Sequence, residues 1–96
     1  MISEIQIQLT KPHDGIIGFA SCLIASSLYI GGIAIHTKLD GTGYRLTYPT
    51  RKSGHHSFPL FHPINAPFAK QLEHEIFSKL KEVMTKAYDR HNRANA

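Results

Sequence analysis

The first part of the chain alternates apolar and polar residues in the manner of a β-strand. Ile5, Ile7 and Leu9 are separated by polar residues, and this two-residue period is typical of a strand with one buried face. Turn-forming residues at positions 11–15 interrupt the alternation. The pattern therefore predicts a hairpin that connects this strand to a second one.

The second predicted strand, residues 16–26, is almost continuously apolar, which indicates burial on both of its faces. Helical periodicity is also compatible with this segment. Gly18 and the β-branched isoleucines favour a strand instead. We expect the C-terminal helix described below to cover one face of this strand and a second subunit to cover the other.

Two adjacent glycines, Gly31 and Gly32, lie within the third predicted strand, residues 28–39. Glycine weakens the interior of a strand, and there it often marks a bulge or a close approach of two backbones. We therefore expect an irregularity in the pairing of this strand. Its predicted apolar anchors are Tyr29, Ile33 and Ile35.

A turn at Asp40 and Gly41 precedes a fourth predicted strand, residues 44–48. Residues 58–61 are compatible with a short additional strand, which Pro59 would restrict to a sheet edge. The alternation in the fourth strand places Tyr44, Leu46 and Tyr48 on one face, and Arg45 and Thr47 on the other.

A four-residue repeat of apolar side chains predicts one long C-terminal helix. Asn65 is a favourable N-cap, and Pro67 suits the first helical turn. Polar and charged residues occupy the opposite side, so that the apolar stripe is expected to close the core. The stripe consists of Phe68, Leu72, Ile76, Leu80 and Met84.

Together these segments predict an α+β fold, in which an antiparallel sheet of four to five strands packs against one long C-terminal helix. Residues 1–90 are expected to form a single domain, because a chain of 96 residues supports one hydrophobic core and shows no internal repeat. The polar residues 91–96 are expected to form a disordered tail.

The composition is that of a globular protein with a modest excess of positive charge. The formal net charge is +4 with all seven histidines neutral, which favours polyanionic partners. Cys22 is the only cysteine, and its apolar neighbours indicate a buried, unreactive thiol. The N-terminus does not have the pattern of a signal peptide, and no apolar run reaches membrane-spanning length. We therefore expect a cytoplasmic protein that does not enter a membrane.

Catalysis and metal binding find little support in the residues. The seven acidic residues are scattered, and no nucleophile motif or phosphate-binding glycine loop is present, so that we expect neither an enzyme nor a cofactor. His55, His56 and His62 are close in sequence, but no cysteine pair or suitably spaced carboxylate accompanies them. We therefore expect solvated histidines rather than a metal site.

The densest group of cationic side chains lies in residues 48–65, which join the predicted sheet to the helix. Arg51 and Lys52 are expected near a loop tip. Pro49 disfavours a central strand, and Gly54 signals a turn. Arginine offers phosphate a planar fork and lysine a point charge. The predicted nucleic-acid-binding residues are Arg51, Lys52, Arg45, Lys38, His55 and His56.

Two short segments resemble the SpoVG family (stage V sporulation protein G, also called the septation protein family). Pro49-Thr50-Arg51-Lys52 is similar to the family's Pro-Ser-Lys-Arg segment, with Thr for Ser and the two cations exchanged. His62-Pro63-Ile64-Asn65 matches its His-Pro-Ile-Asn segment, which leads into a C-terminal helix. The similarity extends from the first strand to about Tyr88. The chain departs from the family at residues 53–56, where acidic residues are usual, and at Gly31-Gly32.

The resemblance implies a small bacterial homodimer that binds DNA, and RNA in some members, and that acts as a regulator of sporulation, septation or cell division. Within the family the basic pair contacts nucleic acid, and this role falls here on Arg51 and Lys52. The alternative is a protein-interaction module in cell-division or sporulation control without direct nucleic-acid binding. Salt dependence separates the two, because salt weakens phosphate contacts steeply but not apolar docking.

Overall fold

The computed structural model describes the backbone of residues 1–95 and the side chains of residues 1–87. Strands β1 to β4 form an antiparallel sheet in sequential order, and β5 and β6 form a separate two-stranded sheet. The predicted α+β arrangement of a four-stranded sheet and one C-terminal helix is confirmed. The elements are β1 (Ile2–His13), β2 (Ile16–Ile24), β3 (Leu28–Thr37), β4 (Tyr44–Thr47), β5 (Thr50–Ser53), β6 (His56–Pro59) and α1 (Ala66–Asn95).

The hairpin predicted between the first two strands is tighter than its sequence indicates. Strand β1 continues through Pro12 to His13, which pairs with Ile16. Only Asp14 and Gly15 remain in the turn, with φ of 52° and 83°. Positive φ at both positions is what a two-residue type I′ turn requires, and this geometry matches the twist of the strands on either side.

Helix α1 closes the core by packing on one side of the four-stranded sheet, which we call the inner face. Burial removes the apolar side chains of this layer from water and is the main term that holds the helix in place. Of the predicted stripe, Phe68 is partly buried and Met84 is 39% exposed, so that the tightest packing lies in the middle of the helix. The buried cluster consists of Ala20, Cys22, Ile30, Ile33, Ile35, Leu72, Ile76 and Leu80.

The predicted N-cap of the helix is confirmed. The side-chain oxygen of Asn65 accepts a hydrogen bond of 2.8 Å from the backbone amide of Phe68, which is one of the amides left free by the first helical turn. No helix in the described part of the chain is both long enough and apolar enough to cross a membrane. The predicted disordered tail at 91–96 lies outside the residues whose side chains are described, and it stays a prediction.

The glycine pair produces a β-bulge in β3. Gly31 and Gly32 together lie opposite the single residue Ser21 of β2, and Gly32 has a φ of 71°. Because the extra residue reverses the alternation, Ile30 points to the inner face before the bulge, and Ile33 and Ile35 point there after it. The prediction that Tyr29 anchors the strand was therefore wrong.

Tyr29 lies on the opposite side of the sheet, which we call the outer face, and is 68% exposed. Phe19 of β2 also points to the outer face and is 40% exposed. The inner side of β2 is buried under helix α1 as expected. Within one chain its other side is only partly covered, and coverage by a second subunit stays a prediction.

Candidate nucleic-acid interface

Strands β5 and β6 form a two-stranded antiparallel element that we call the ribbon, residues 50–59. All eight residues of its strands are exposed, so that the ribbon extends from the body of the protein without sharing the core. Its turn has two residues, Gly54 and His55, and Gly54 takes the first position with a φ of 63°. A glycine with positive φ at that position is characteristic of the tight turns that connect paired strands.

Two interactions hold the base of the ribbon, one between its own two flanks and one with the body of the protein. The amide of Leu60 donates a hydrogen bond of 2.8 Å to the carbonyl of Pro49, directly beyond the last strand pair. The rings of Tyr48 and Phe61 meet edge to face at a centroid distance of 5.9 Å, and both pack against the core. The ribbon is therefore held at its root while its strands face solvent.

Two predictions about this segment need correction. Arg51 and Lys52 lie close to the turn as predicted, but they are in the paired strand β5 and not in an open loop, because the turn is short enough for the residues on both sides of it to pair. The additional strand predicted at 58–61 is present, but it runs from His56 to Pro59 as β6, and it pairs with β5. Pro59 is tolerated there because the two-stranded ribbon consists only of edge strands.

The pairing places Arg51 and Lys52 on opposite faces of the ribbon. Directly opposed residues of antiparallel strands share a face, and neighbours along one strand alternate between faces. Arg51 pairs with Phe58, and Lys52 pairs with Ser57. The two cations therefore do not form one phosphate clamp, although they are adjacent in sequence.

The ribbon carries positive charge without acidic neighbours along the chain. No acidic residue occurs between Asp40 and Glu73. Among the side chains that the structure describes, neither Arg51 nor Lys52 takes part in an ion pair. His55 and His56 are exposed at the tip, in the turn and at the first position of β6. This end of the molecule therefore presents cations that are available to an anionic partner.

The other two predicted residues, Lys38 and Arg45, lie together at the β3–β4 hairpin. Both are exposed, and they line a shallow depression with Leu39 and Asp40. Two hydrogen bonds from Thr42 and the positive charge of Lys38 hold the pKa of Asp40 below its usual value. The carboxylate therefore stays ionised and offsets part of the positive charge at this hairpin.

The six predicted residues consequently form two groups instead of one patch. Lys38 and Arg45 lie near the start of β4, whereas the ribbon follows the end of that strand. Arg45 does point away from the tyrosines as predicted, since Tyr44 packs against the core and Arg45 is exposed. The ribbon holds the second group, which consists of Arg51, Lys52, His55 and His56.

Residues 66–87 of helix α1 carry four lysines and three glutamates, and this part of the helix therefore offers a weaker cationic surface than the ribbon. Lys79 and Lys86 lie 3.6 Å and 3.3 Å from the same carboxylate oxygen of Glu82. The hydrogen bond from Lys86 and the charge of Lys79 lower the pKa of Glu82, so that it stays ionised and neutralises part of their charge. Among residues 1–87, no cluster of three or more potential metal ligands occurs. The Nδ1 of His62 lies 3.0 Å from the carbonyl oxygen of the next residue, Pro63.

Phe58 and His36 are two residues that the sequence patterns did not single out. Phe58 is 53% exposed and lies opposite Arg51, which only the strand register reveals. His36 pairs with Arg45 across β3 and β4, and its Nδ1 is buried without a hydrogen-bond partner among the described residues. Burial, and secondarily the charge of Arg45, lower the pKa of His36. A single histidine in an apolar strand carries no spacing signal that could have identified it.

Comparison of the chain with protein-family models, with curated proteins and with solved structures gives no match. The resemblance to the SpoVG family therefore rests on residues 49–52 and 62–65 and on the order of the elements around them.

Proposed function

We propose that this chain is a small bacterial regulatory protein that binds nucleic acid through its ribbon, as the SpoVG resemblance implies. The observation that carries the proposal is the exposed ribbon with Arg51 and Lys52, which has no acidic residue in its strands or turn. Contacts from these side chains to phosphates would supply affinity more than sequence discrimination. The proposed ligand is DNA, and RNA is included because the chemistry of the phosphates is the same.

The two-stranded form and the exposure of the ribbon support this proposal. A two-stranded ribbon is one of the elements that the major groove of DNA admits, and an exposed ribbon can also lie along a single strand. The apolar side of α1 is used in the core by Leu72, Ile76 and Leu80, which leaves the ribbon as the better-placed binding element. Arg45 and Lys38 would act as a second, weaker contact region for a ligand that extends past β4.

A second candidate function is a protein-interaction module in cell-division or sporulation control. It is supported by an apolar depression of about 480 Å³ beside the β2–β3 turn, whose lining includes Leu28, Tyr48 and Ile64. Leu28 and Ile64 are mostly exposed, which is costly for apolar side chains in water. The occupant we propose for this depression is a second copy of the chain. This would place the dimer contact beside the β2–β3 turn and not on the outer face of β2, where the apolar sequence of that strand predicts it.

A binding survey at two salt concentrations tests the proposed function. Labelled single-stranded and duplex DNA and RNA probes of several sequences are titrated with the protein, and fluorescence anisotropy reports binding. We expect binding to every sequence with similar affinity and a steep loss at the higher salt concentration. Absence of binding to all probes at the lower salt concentration would refute the proposal and favour the interaction module.

A further inference from the structure

The two faces of the ribbon differ in chemistry. The face that carries Arg51 also carries Ser53, His56 and Phe58, because Arg51 pairs with Phe58 and Ser53 pairs with His56. The rings of His56 and Phe58 lie 6.0 Å apart at their centroids, with an angle of 37° between their planes. We call this the aromatic face. The other face carries Thr50, Lys52, Ser57 and Pro59 and has no aromatic ring.

Phe58 is not needed for the core. It is 53% exposed, and it is absent from the residues that pack against the buried cluster. An exposed phenyl ring costs free energy in water unless it packs against a cation or a ligand. Here a guanidinium lies across the ribbon and an imidazole lies beside the ring on the same strand. A planar, uncharged group next to an anion is the ligand that complements this surface.

An unpaired nucleotide has that composition, because it joins an aromatic base to a phosphate. Bases stack on aromatic side chains whatever their sequence, while neighbouring cations hold the backbone. In a duplex the faces of the bases are covered by neighbouring bases, and only the edges of the bases are accessible in the grooves. A phenyl ring cannot form hydrogen bonds with these edges. The aromatic face therefore suits a single strand better than a duplex.

We propose that the aromatic face of the ribbon binds an unpaired stretch of nucleic acid, one base of which stacks on Phe58 while an adjacent phosphate pairs with Arg51. This inference rests on the proposed nucleic-acid binding and adds a preference for single strands. It also assigns different roles to the two basic residues. Arg51 works together with the stacked base, whereas Lys52 faces away and contributes only general attraction.

Tryptophan fluorescence gives a direct test, because the chain contains no tryptophan. Phe58→Trp places a single reporter on the aromatic face, and Ser57→Trp places a matched control on the other face of the same strand. Each variant is titrated with a labelled oligothymidylate, whose anisotropy reports binding independently. We expect saturable quenching in Phe58→Trp and little change in Ser57→Trp at equal binding.

Affinity measurements separate stacking from apolar packing within the ribbon. Phe58→Ala should weaken single-strand binding by about 5- to 150-fold, which corresponds to the usual range for loss of one stacked base. Phe58→Leu keeps apolar bulk without an aromatic face and should lose most of the same affinity. In both variants the affinity for a duplex should fall less than the affinity for a single strand. Arg51→Ala should weaken single-strand binding more than Lys52→Ala does.

The outcomes distinguish this inference from the proposed function. Binding of the oligonucleotide without quenching of Phe58→Trp, or with equal quenching of Ser57→Trp, would overturn the aromatic face as the stacking site and leave nucleic-acid binding intact. Unaltered affinity in Phe58→Leu, or preferential binding of a duplex of the same sequence, would overturn it as well. Absence of binding to both single strands and duplexes would refute the two proposals together.

Discussion

His36 Nε2 lies 2.7 Å from the hydroxyl oxygen of Thr47 on the neighbouring strand, while its other ring nitrogen is buried and has no hydrogen-bond partner in the part of the chain that the structure describes. Protonation of His36 would leave a buried N–H donor unpaired beside the guanidinium of Arg45, which explains the lowered pKa of the imidazole. The unfolded chain consequently takes up protons at His36 more readily than the folded chain does.

We expect this histidine to make the protein less stable in mild acid. Its pKa in the folded state is lower than the ordinary value of 6.5, so that the free energy of unfolding should fall as the pH drops below about 6.5. Urea unfolding at several pH values measures this dependence. His36→Gln should reduce this pH dependence, because the side chain of Gln does not titrate. Equal pH dependence in the His36→Gln variant would contradict the assignment.

Removal of both ribbon cations should lower nucleic-acid affinity without loss of stability. In the Arg51→Ala/Lys52→Ala variant we expect the slope of log affinity against log salt to flatten by about 1 to 2 per chain on duplex DNA, at roughly 0.9 for each of the two cations that contacts a phosphate. The melting temperature should hardly change, because exposed charges contribute little to stability. Lys79→Ala/Lys86→Ala is the matched control and should keep most of the slope. Unchanged binding by the ribbon variant would show that the nucleic-acid interface lies outside the ribbon.

A side chain at Gly32 should destabilise the sheet through backbone strain instead of crowding. An added Cβ would have its nearest neighbour at 4.0 Å, on Pro49, so that space is available, but the φ of 71° is unfavourable for any other residue. Gly32→Ala should therefore lower the free energy of unfolding by about 1–2 kcal/mol. Gly43→Ala serves as the control, because Gly43 lacks positive φ and its added Cβ would meet no atom within 4 Å. Equal stability of the two variants would argue against the bulge.

Cys22 should be inert in the folded protein. Its side chain is in the buried cluster at 1% exposure, and burial raises the pKa of the thiol and so depletes the reactive thiolate. A maleimide should label it only after denaturation. Ser27→Cys adds an exposed thiol at the β2–β3 turn, and one of the two thiols in this variant should then react rapidly. Rapid labelling of the unmodified native chain would show that β2 is not covered by α1.

The homodimer can be tested through the apolar depression beside the β2–β3 turn. Sedimentation equilibrium at about 50 µM should give a dimer. At this protein concentration, dimers with micromolar dissociation constants are populated. Leu28→Asp/Ile64→Asp introduces charge at two exposed positions of the depression and should give a monomer. Leu39→Asp, at a fully exposed leucine of the β3–β4 turn, is the control and should remain dimeric. A monomeric unmodified chain would refute the dimer, and a dimeric Leu28→Asp/Ile64→Asp variant would place its interface elsewhere.

The sheet and the helix could be predicted because their residues repeat with the periods of their elements. Leu72, Ile76 and Leu80 are four residues apart and become fully buried, and Asn65 caps the helix through the expected amide. The bulge could be anticipated from Gly31-Gly32, but its effect on Tyr29 could not. The face to which a side chain points after a bulge depends on which residue of the strand is left unpaired. Composition alone does not specify that position.

The ribbon was harder to predict because its strands have no apolar period. Proline, glycine and exposed polar residues at 49–59 are equally typical of an open loop, and only the pairing of Arg51 with Phe58 and Lys52 with Ser57 assigns the faces. The candidate basic residues were therefore found from composition and resemblance, whereas the division between Arg51 and Lys52 required the register. Lys38 and Arg45 were grouped with them because Arg45 is on the strand that leads to the ribbon and Lys38 is on the neighbouring strand. The structure places both residues near the start of β4, at the end away from the ribbon.

The anchoring of the ribbon at its root has a consequence for how its specificity can change over time. The Tyr48–Phe61 ring contact and the Pro49–Leu60 hydrogen bond close the element below its first strand pair, and no ribbon side chain belongs to the core. Substitutions, or insertions of two residues that keep the strands in register, are therefore nearly free of any penalty in folding. The length and the charge of the ribbon can therefore diverge among descendants of one ancestor. The supporting sheet and helix can stay the same while this happens.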